Sequence, residues 1–283
     1  MSKKLLLQRM GKSAFFLTGF LVALLIVLVA CIGPRIMAFD PMKNSLLERL
    51  QKPDWFSKGL SGHILGTDEL GRDVLTRLLS GARISLLIAA IVTASQIMLG
   101  TALGVLAGFL GGGVDIVIMR ICDIFLALPS MLVAIALMAV LGASIPNLIL
   151  ILSITGWVQF CRVTRNNVKI IRGMEFVAAE QVMGASKFRI MFNQILPNVT
   201  TDILVLASQR FGYTISTEAT LSFLSLGVVA PTPSWGNMIA GGREYLSTCP
   251  WLIFAPGIAL MVTVLAFNFL GDGLRDILDP KRL

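Results

Sequence analysis

Residues Glu175–Asn198 read EFVAAEQVMGASKFRIMFNQILPN and form a polar insert between two strongly apolar stretches. The pattern predicts a short helix, a break at Gly184, a second short helix and a stop at Pro197, because glycine and proline interrupt helices. Lysine and arginine are frequent around the insert. A polar helix–glycine–helix insert of this kind is unusual between membrane spans.

The composition of the whole chain is that of a membrane protein. Of its 283 residues, 55% are hydrophobic and 14% are charged, and the mean hydropathy is +0.82, whereas a soluble domain carries about a quarter charged residues. The net charge of +8 calls for no nucleic-acid partner, because basic residues also set membrane topology. The cysteines lack CxxC spacing and are predicted to be small buried hydrophobes without disulfides: Cys31, Cys122, Cys161 and Cys249.

Six stretches are long and apolar enough, or nearly so, to cross a bilayer, which takes about 20 residues per helix. They are Ala14–Gly33, Ile84–Leu110, Ile121–Leu141, Ile145–Phe160, Ile203–Gly227 and Trp251–Leu270. We therefore predict an all-α fold, a polytopic bundle of six transmembrane helices, with kinks at Pro129 and Pro256. The first stretch is expected to stay as a span, because it is too long for a signal peptide and no cleavage site follows.

The distribution of lysine and arginine orients this bundle. With both termini in the cytoplasm, the cytoplasmic parts hold thirteen basic residues, whereas the outer parts hold nine, eight of them in one long segment where the charge rule is weak. The chain then divides into three parts. They are the N-terminus with the first span (1–33), an extracytoplasmic segment (34–83) and a transmembrane domain (84–283) with a cytoplasmic loop (162–200).

The polar insert resembles the coupling loop by which the permease subunits of ABC importers bind their ATPase. The family pattern, E-A-A-x3-G followed by I-x-L-P or ILPN, is matched by Gly184-Ala185-Ser186 and by Ile195–Asn198, whereas Ala178, Ala179 and Glu180 stand where the family has E-A-A. We call Glu175–Leu196 the coupling segment. The resemblance implies ATPase contact by Glu175, Ala179, Glu180, Gly184, Ala185, Ser186, Ile195, Leu196 and Pro197.

Three further strings extend the resemblance along the chain: Gly66–Asp73 (GTDELGRD), Pro231–Met238 (PTPSWGNM) and Phe267–Pro280 (FNFLGDGLRDILDP). They are similar to the second permease subunit of the dipeptide, oligopeptide and nickel importers. The resemblance implies a fold like that of type I ABC importer permeases. It also implies the inner membrane of a bacterial cell, with the lipid bilayer around the chain.

The same resemblance implies the partners and the cargo. The partners are a homologous permease forming a heterodimer, two ATPase subunits that bind ATP and Mg²⁺, and an extracytoplasmic substrate-binding protein. This chain itself would hold no cofactor and catalyse no reaction. Di- or oligopeptides are the expected cargo, and nickel or a metal–chelator complex is the alternative. A self-contained secondary transporter or channel is the alternative of another class, disfavoured because the spans show no internal repeat.

Two charges lie inside the fifth apolar stretch, where charged side chains face protein or water rather than lipid. Arg210 and Glu218 are eight residues apart, so they are separated by about 80° around the helix and about 12 Å along it. One interpretation is that both line a translocation cavity. The other is that Arg210 pairs with the partner permease and Glu218 bonds to a neighbouring helix. Their presence also disfavours a purely structural scaffold.

The extracytoplasmic segment offers two further interpretations. From Arg72 onward the pattern is amphipathic, which predicts a helix along the outer membrane surface leading into the second span. Asp68, Arg72 and Asp73 either hold a turn through local hydrogen bonds, which we favour, or contact cargo directly. His63, the only histidine, is expected to be structural, since one imidazole and scattered thiols form no recognisable metal site.

Other patterns are assigned no chemistry. Gly11-Lys12-Ser13 resembles the end of a phosphate-binding loop, but Leu6 stands where the first glycine is required. Gly111-Gly112-Gly113 predicts a tight cytoplasmic turn. The four-residue repeat of Gly100, Gly104 and Gly108 predicts close helix packing. No catalytic residue is predicted.

Overall fold

The computed structural model describes residues 13–37, 39–54 and 62–278. The basic residues before Ser13, which enter the charge argument and the Gly11-Lys12-Ser13 comparison, lie outside this part of the chain. So does the end of the tail from Asp279 onward, including the last two residues of the FNFLGDGLRDILDP string.

Within the described ranges the chain is helical and no strand is formed; only an isolated bridge joins Thr67 and Asp73. The predicted all-α fold is therefore confirmed. The helices of eight residues or more are α1 (Ala14–Ile36), α2 (Val74–Leu110), α3 (Gly112–Ala127), α4 (Ser130–Leu141), α5 (Ile145–Arg172), α6 (Glu175–Val182), α7 (Lys187–Phe223), α8 (Trp235–Gly242) and α9 (Trp251–Leu278). Single turns of 3-10 helix lie at Leu46–Glu48 and Arg243–Tyr245.

Five of the described helices are long and apolar enough to cross a membrane: α1, α2, α5, α7 and α9. The sixth predicted span is broken. Helices α3 and α4 meet at an angle of 82°, and Pro129 stands at the N-cap of α4, so the predicted interruption at this proline is confirmed. Helix α3 begins at Gly112, ahead of the apolar stretch predicted from Ile121 and just after the turn made by Gly111 (φ +70°).

The long helices continue well beyond the apolar stretches that predicted them. Helix α2 starts at Val74, capped by the Asp73 carboxylate, and runs without a break for 37 residues, which is about 55 Å at 1.5 Å per residue. The amphipathic residues after Arg72 are thus the first turns of the helix that contains the second apolar stretch, and the prediction of a helix along the membrane surface is wrong. Likewise α5 continues to Arg172, so the basic residues assigned to the loop 162–200 begin on a helix.

Pro197 does not end a helix, contrary to the sequence-based prediction. The residues before it, Ile190–Ile195, form a π-helical turn, and Leu196 N–H bonds to Met191 O five residues earlier. A wider turn of this kind accommodates the proline ring and its missing N–H. The second arm of the coupling segment is therefore continuous with the fifth span, as helix α7.

Close helix packing forms the core of the bundle. Helix α2 packs along α5, and α9 packs against α1 and α7. A side-chain carbon at Gly100 would lie 2.5 Å from Trp157 O, and one at Gly104 would lie 2.6 Å from Cys161 O. The predicted close approach at the glycine repeat is confirmed, because only glycine leaves room for the α5 backbone here.

Candidate coupling segment and cavity

The coupling segment is fixed to the bundle by apolar side chains that point inward. Val177, Ile190 and Ile195 are buried in a cluster with residues of α2 and α5. A hydrogen bond of 3.0 Å from Gln194 Nε2 to Glu180 Oε1 joins α6 to the first turns of α7. The two arms therefore have a defined position on the bundle.

The turn between the two arms lies where the sequence predicted it. Gly184 has φ +80°, a conformation that residues with a side chain rarely adopt, and its N–H bonds to Gln181 O at 3.0 Å. Ser186 then caps α7, because its hydroxyl accepts a hydrogen bond from Arg189 N at 3.3 Å. The turn is thus set by one glycine conformation and one cap.

The residues predicted to contact an ATPase differ in exposure. The exposed ones are Glu175, Ala179, Gly184, Ser186 and Pro197, and the partly buried ones are Glu180, Ala185 and Leu196. Ile195 is 0% exposed, so in this conformation it anchors the segment and no part of it is open to a partner. Contact of the others with an ATPase stays a prediction.

The coupling segment exposes apolar side chains that were not predicted from the sequence to be functional. Val182 is 88% exposed, Met183 74% and Phe188 71%, and the rings of Phe188 and Phe192 stack with centroids 6.1 Å apart. Exposed apolar patches mark interaction sites. The sequence did contain a signal for this surface, because large apolar residues occur in a segment that was predicted to lie outside the membrane.

A cavity of about 470 Å³ lies beside the break between α3 and α4. Its walls come from the end of α3 and the start of α4, from the middle of α5, and from one face of α7 that runs from Leu206 to Thr217. Apolar and neutral polar side chains alternate on these walls, including Phe125, Gln159 and Thr214. The volume is within the range of small-molecule sites.

Arg210 lines this cavity, as one of the two interpretations of the sequence predicted. It is partly buried, and its guanidinium carbon lies 4.9 Å from the centre of the Tyr213 ring. No carboxylate of the described residues forms an ion pair with it. Its role in transport stays a prediction.

Glu218 does not line the cavity, which corrects the interpretation that both charges do so. Its side chain is 0% exposed, and Oε1 accepts a hydrogen bond of 2.8 Å from Ser222 Oγ. Ser222 Oγ in turn accepts a bond of 2.9 Å from Val228 N. The separation of about 80° around the helix and about 12 Å along it places Glu218 away from Arg210 and in the protein interior, where it fixes the chain beyond α7.

The GTDELGRD string forms a closed hydrogen-bonded turn. Asp68 accepts bonds from Leu70 N, Arg72 N and Arg72 Nε at 2.7–2.9 Å, and Arg77 Nε lies 3.3 Å from the same carboxylate. The three charged side chains are 4–6% exposed. The favoured interpretation, that these residues hold a turn, is confirmed by this geometry.

Asp73 and His63 join the hydrogen-bonded turn to the start of α2. Asp73 caps α2 with bonds of 2.7 Å and 2.6 Å from Thr76 N and Oγ1, and it lies 3.0 Å from His63 Nδ1. His63 is 9% exposed and packs on Phe39, as expected of a structural histidine. Among the described residues, no three His, Cys, Asp or Glu side chains surround a common position that could hold a metal ion.

All four cysteines are free, and Cys122, Cys161 and Cys249 are buried as predicted. Cys31 is exposed, which corrects that prediction for this residue. It lies near the end of α1, whose apolar side chains are largely exposed.

The chain is similar to known transport proteins over most of its length. Residues 100–283 match the family model described as "Binding-protein-dependent transport system inner membrane component". The Di/tripeptide transport system permease protein DppC of Pseudomonas aeruginosa is 42% identical over 265 residues, which is 94% of this chain and 88% of that protein.

Two other relatives are named for the transport of different cargoes. The Oligopeptide transport system permease protein OppC of Bacillus subtilis is 38% identical over 273 residues, covering 96% of this chain and 88% of its own length. The Glutathione transport system permease protein GsiD of Pectobacterium atrosepticum is 39% identical over 261 residues, covering 92% and 85%. The similarity thus extends over nearly the whole chain in each case.

Proposed function

The chain belongs to the family of binding-protein-dependent transport system inner membrane components, and we propose that it imports di- or oligopeptides as one of two permeases of an ABC importer. The names of the relatives refer to transport of di- and tripeptides, oligopeptides and glutathione. These names support this cargo class. Nickel or a metal–chelator complex is the alternative cargo.

The observation that carries the proposal is the continuity of helix α7. The helix begins in the coupling segment at Lys187 and carries the cavity residues Leu206–Thr217 in its second half. From Phe188 to Arg210 it spans about 33 Å at 1.5 Å per residue. A displacement of the coupling segment is therefore transmitted to the cavity wall by one helix, without an intervening loop.

The mechanism follows from this connection. Two ATPase subunits bind ATP and Mg²⁺, close together and move the coupling segment of each permease. This chain supplies one wall of the pathway and a homologous permease supplies the opposite wall, since Arg210 on the cavity wall is only partly buried and a charge in a span faces protein or water rather than lipid. The bundle then opens toward the binding protein and accepts cargo. The chain performs no chemistry itself and holds no cofactor.

The orientation that this mechanism requires places the coupling segment and both termini in the cytoplasm. The basic residues near the coupling end support it, because Arg165 and Lys169 lie on the last turns of α5. The closed turn around Asp68 then faces the binding protein.

The test is uptake by proteoliposomes that contain the whole complex, co-expressed with its second permease, ATPases and binding protein. Labelled dialanine is expected to accumulate only when ATP is present on the side of the membrane where the ATPase subunits lie and the binding protein is present on the opposite side. Uptake that needs no ATP would assign the chain to the secondary transporters or channels instead. Uptake of Ni²⁺ but of no peptide would select the alternative cargo.

A further inference from the structure

The cavity carries charge of one sign. Arg210 is the only Lys, Arg, Asp or Glu among the described residues that line it. The other polar groups on its walls are neutral amides and hydroxyls, such as Gln159 and Thr217. Because Glu218 lies in the protein interior instead, nothing acidic on this chain's wall offsets the positive charge.

Arg210 also differs from every other arginine of comparable burial. Five described arginines are buried or partly buried: Arg72, Arg77, Arg162, Arg165 and Arg210. The first four each form an ion pair with an aspartate of this chain, and Arg165 does so through two bonds of 2.5 Å and 2.6 Å to Asp115. Arg210 has only the face of Tyr213. A charge in a membrane span is expensive unless it is paired or functional.

The Arg210 guanidinium carbon lies 4.9 Å from the centre of the Tyr213 ring, a cation–π contact that occupies none of its N–H groups with a hydrogen bond to a described residue. Its N–H edge therefore stays available to an anionic ligand. That edge matches a carboxylate, which it binds through two parallel hydrogen bonds. Every unmodified peptide has one such group at its C-terminus, whatever its side chains are.

We propose that Arg210 binds the C-terminal carboxylate of the cargo in the cavity, an inference that rests on the proposed peptide transport. Arg210 is then a specificity-determining residue of the pathway. It favours cargo with an anionic end and disfavours cations such as free Ni²⁺. The contact is transient, since a pathway must bind its cargo weakly enough to release it.

The first experiment measures binding to the membrane complex without the binding protein, whose own selectivity is thereby removed. Leu206 lines the cavity one turn before Arg210, so Leu206→Cys reports occupancy in a background without the four native cysteines. Dialanine is expected to slow its alkylation several-fold, whereas dialaninamide, which lacks the carboxylate, leaves the rate unchanged. Thr217→Cys is the second reporter, in case the first variant does not fold.

The matched variants decide the role of Arg210. Arg210→Gln is expected to abolish protection by dialanine, and Arg210→Lys to keep part of it. Cysteine at Ile170, which is 63% exposed at the coupling end, is the control that no peptide should protect. Equal protection by dialanine and dialaninamide, or protection that survives in Arg210→Gln, would overturn the proposal.

Transport by the complete complex gives the second readout. Arg210→Gln is expected to lower dialanine uptake on the order of tenfold, the effect of losing one charged hydrogen bond, and Arg210→Lys to restore part of it. If Arg210 instead pairs with a carboxylate of the second permease, Arg210→Gln loosens co-purification of that subunit and peptide protection is absent in the wild type. Protection by dialanine without any uptake would leave the carboxylate site standing and refute the proposed transport.

Discussion

The two polar parts of this chain outside its spans are built in opposite ways. The 34–83 segment encloses a charged cluster, in which Asp68, Arg72 and Arg77 are 4–6% exposed and both arginines pair with the aspartate. The coupling segment directs apolar side chains outward, with Val182 and Phe188 88% and 71% exposed. The charged cluster of the first is satisfied within the chain, whereas the apolar side chains of the second have no cover within it. The difference predicts that the charged cluster is needed for the fold and that the exposed apolar side chains are needed for contact with a partner.

The largest loss of stability is expected from Asp68→Ala. Removing this carboxylate takes the shared aspartate from two buried guanidinium groups and leaves Arg72 with Glu69 alone and Arg77 with backbone carbonyls, which costs about 3 kcal/mol. Thermal unfolding of the purified protein and its abundance in the membrane should both fall sharply. Asp40→Ala, at an exposed position of the same segment, is the control. Equal stability of the two variants would show that the 34–83 segment is not a closed structural unit.

A paired glycine substitution compares the two regions directly. Gly71 and Gly184 have nearly the same backbone conformation, φ +73° and +80°. A side chain at Gly71 would collide with Ser45 O, whereas nothing lies within 4 Å at Gly184. Gly71→Ala is therefore expected to destabilise the protein strongly, and Gly184→Ala by only about 1–2 kcal/mol of backbone strain. The melting temperatures of the two variants measure the difference, and similar values would contradict it.

A larger side chain at the same turn tests coupling. Gly184→Arg is expected to leave the complex assembled, because space is open there, but to redirect the second arm and separate ATP hydrolysis from uptake. Gly184→Asn, which tolerates left-handed backbone better than other residues, should retain more transport. If Gly184→Arg takes up peptide at the wild-type rate, the coupling segment does not dock on the ATPase as predicted.

Removing the exposed rings should change stability little and function a great deal. In the double variant Phe188→Ala with Phe192→Ala, both side chains are more than half exposed, so little buried area is lost. The ATPase should bind more weakly to the purified permease pair and uptake should fall. Phe254→Ala, which removes a ring 58% exposed on α9, is the matched control. If both variants transport alike, the exposed rings do not contact the ATPase.

The smallest perturbation tests only the sidedness of the two regions. Val182 and Leu47 are 88% and 100% exposed, so cysteine at either position should leave the fold unchanged. In a background without native cysteines, an impermeant thiol reagent should modify Val182→Cys only from the cytoplasmic side and Leu47→Cys only from outside. Ser234 is unsuitable as a labelling site, since it is 0% exposed. The reverse pattern would invert the orientation.

The sequence predicted helix type well and helix ends poorly, for one physical reason. Apolar runs mark the part of a helix that crosses hydrocarbon, whereas helix ends are set by caps and glycines. Thus α2 starts at its Asp73 cap and α5 ends beside Gly173, both far outside the apolar runs. The stop expected at Pro197 failed because the π-helical turn before it removes the clash that proline normally causes.

The candidate site also has one feature that could be predicted from the sequence and others that could not. The glycine turn of the coupling segment could be predicted because it depends on one residue and its neighbours in sequence. The burial of Glu218 could not, because it depends on the elements packed around the end of α7, such as α8, where Gly236 lies against the backbone of Ala219. The exposure of Phe188 and the burial of Ile195, a few residues apart, depend on which face of α7 packs against α5.

By itself, the sequence determined the class of this protein: an all-α membrane permease with a coupling segment that turns at Gly184. These properties depend on composition and on local spacing, which the chain carries wherever it folds. Only the tertiary structure decided which side chains remain without partners. It enclosed Glu218, paired four of the five buried or partly buried arginines with aspartates and left Arg210 on a cavity wall. Arg162 and Arg165 meet aspartates 39 and 50 residues away, and such long-range pairing, like its absence at Arg210, cannot be predicted from any one stretch.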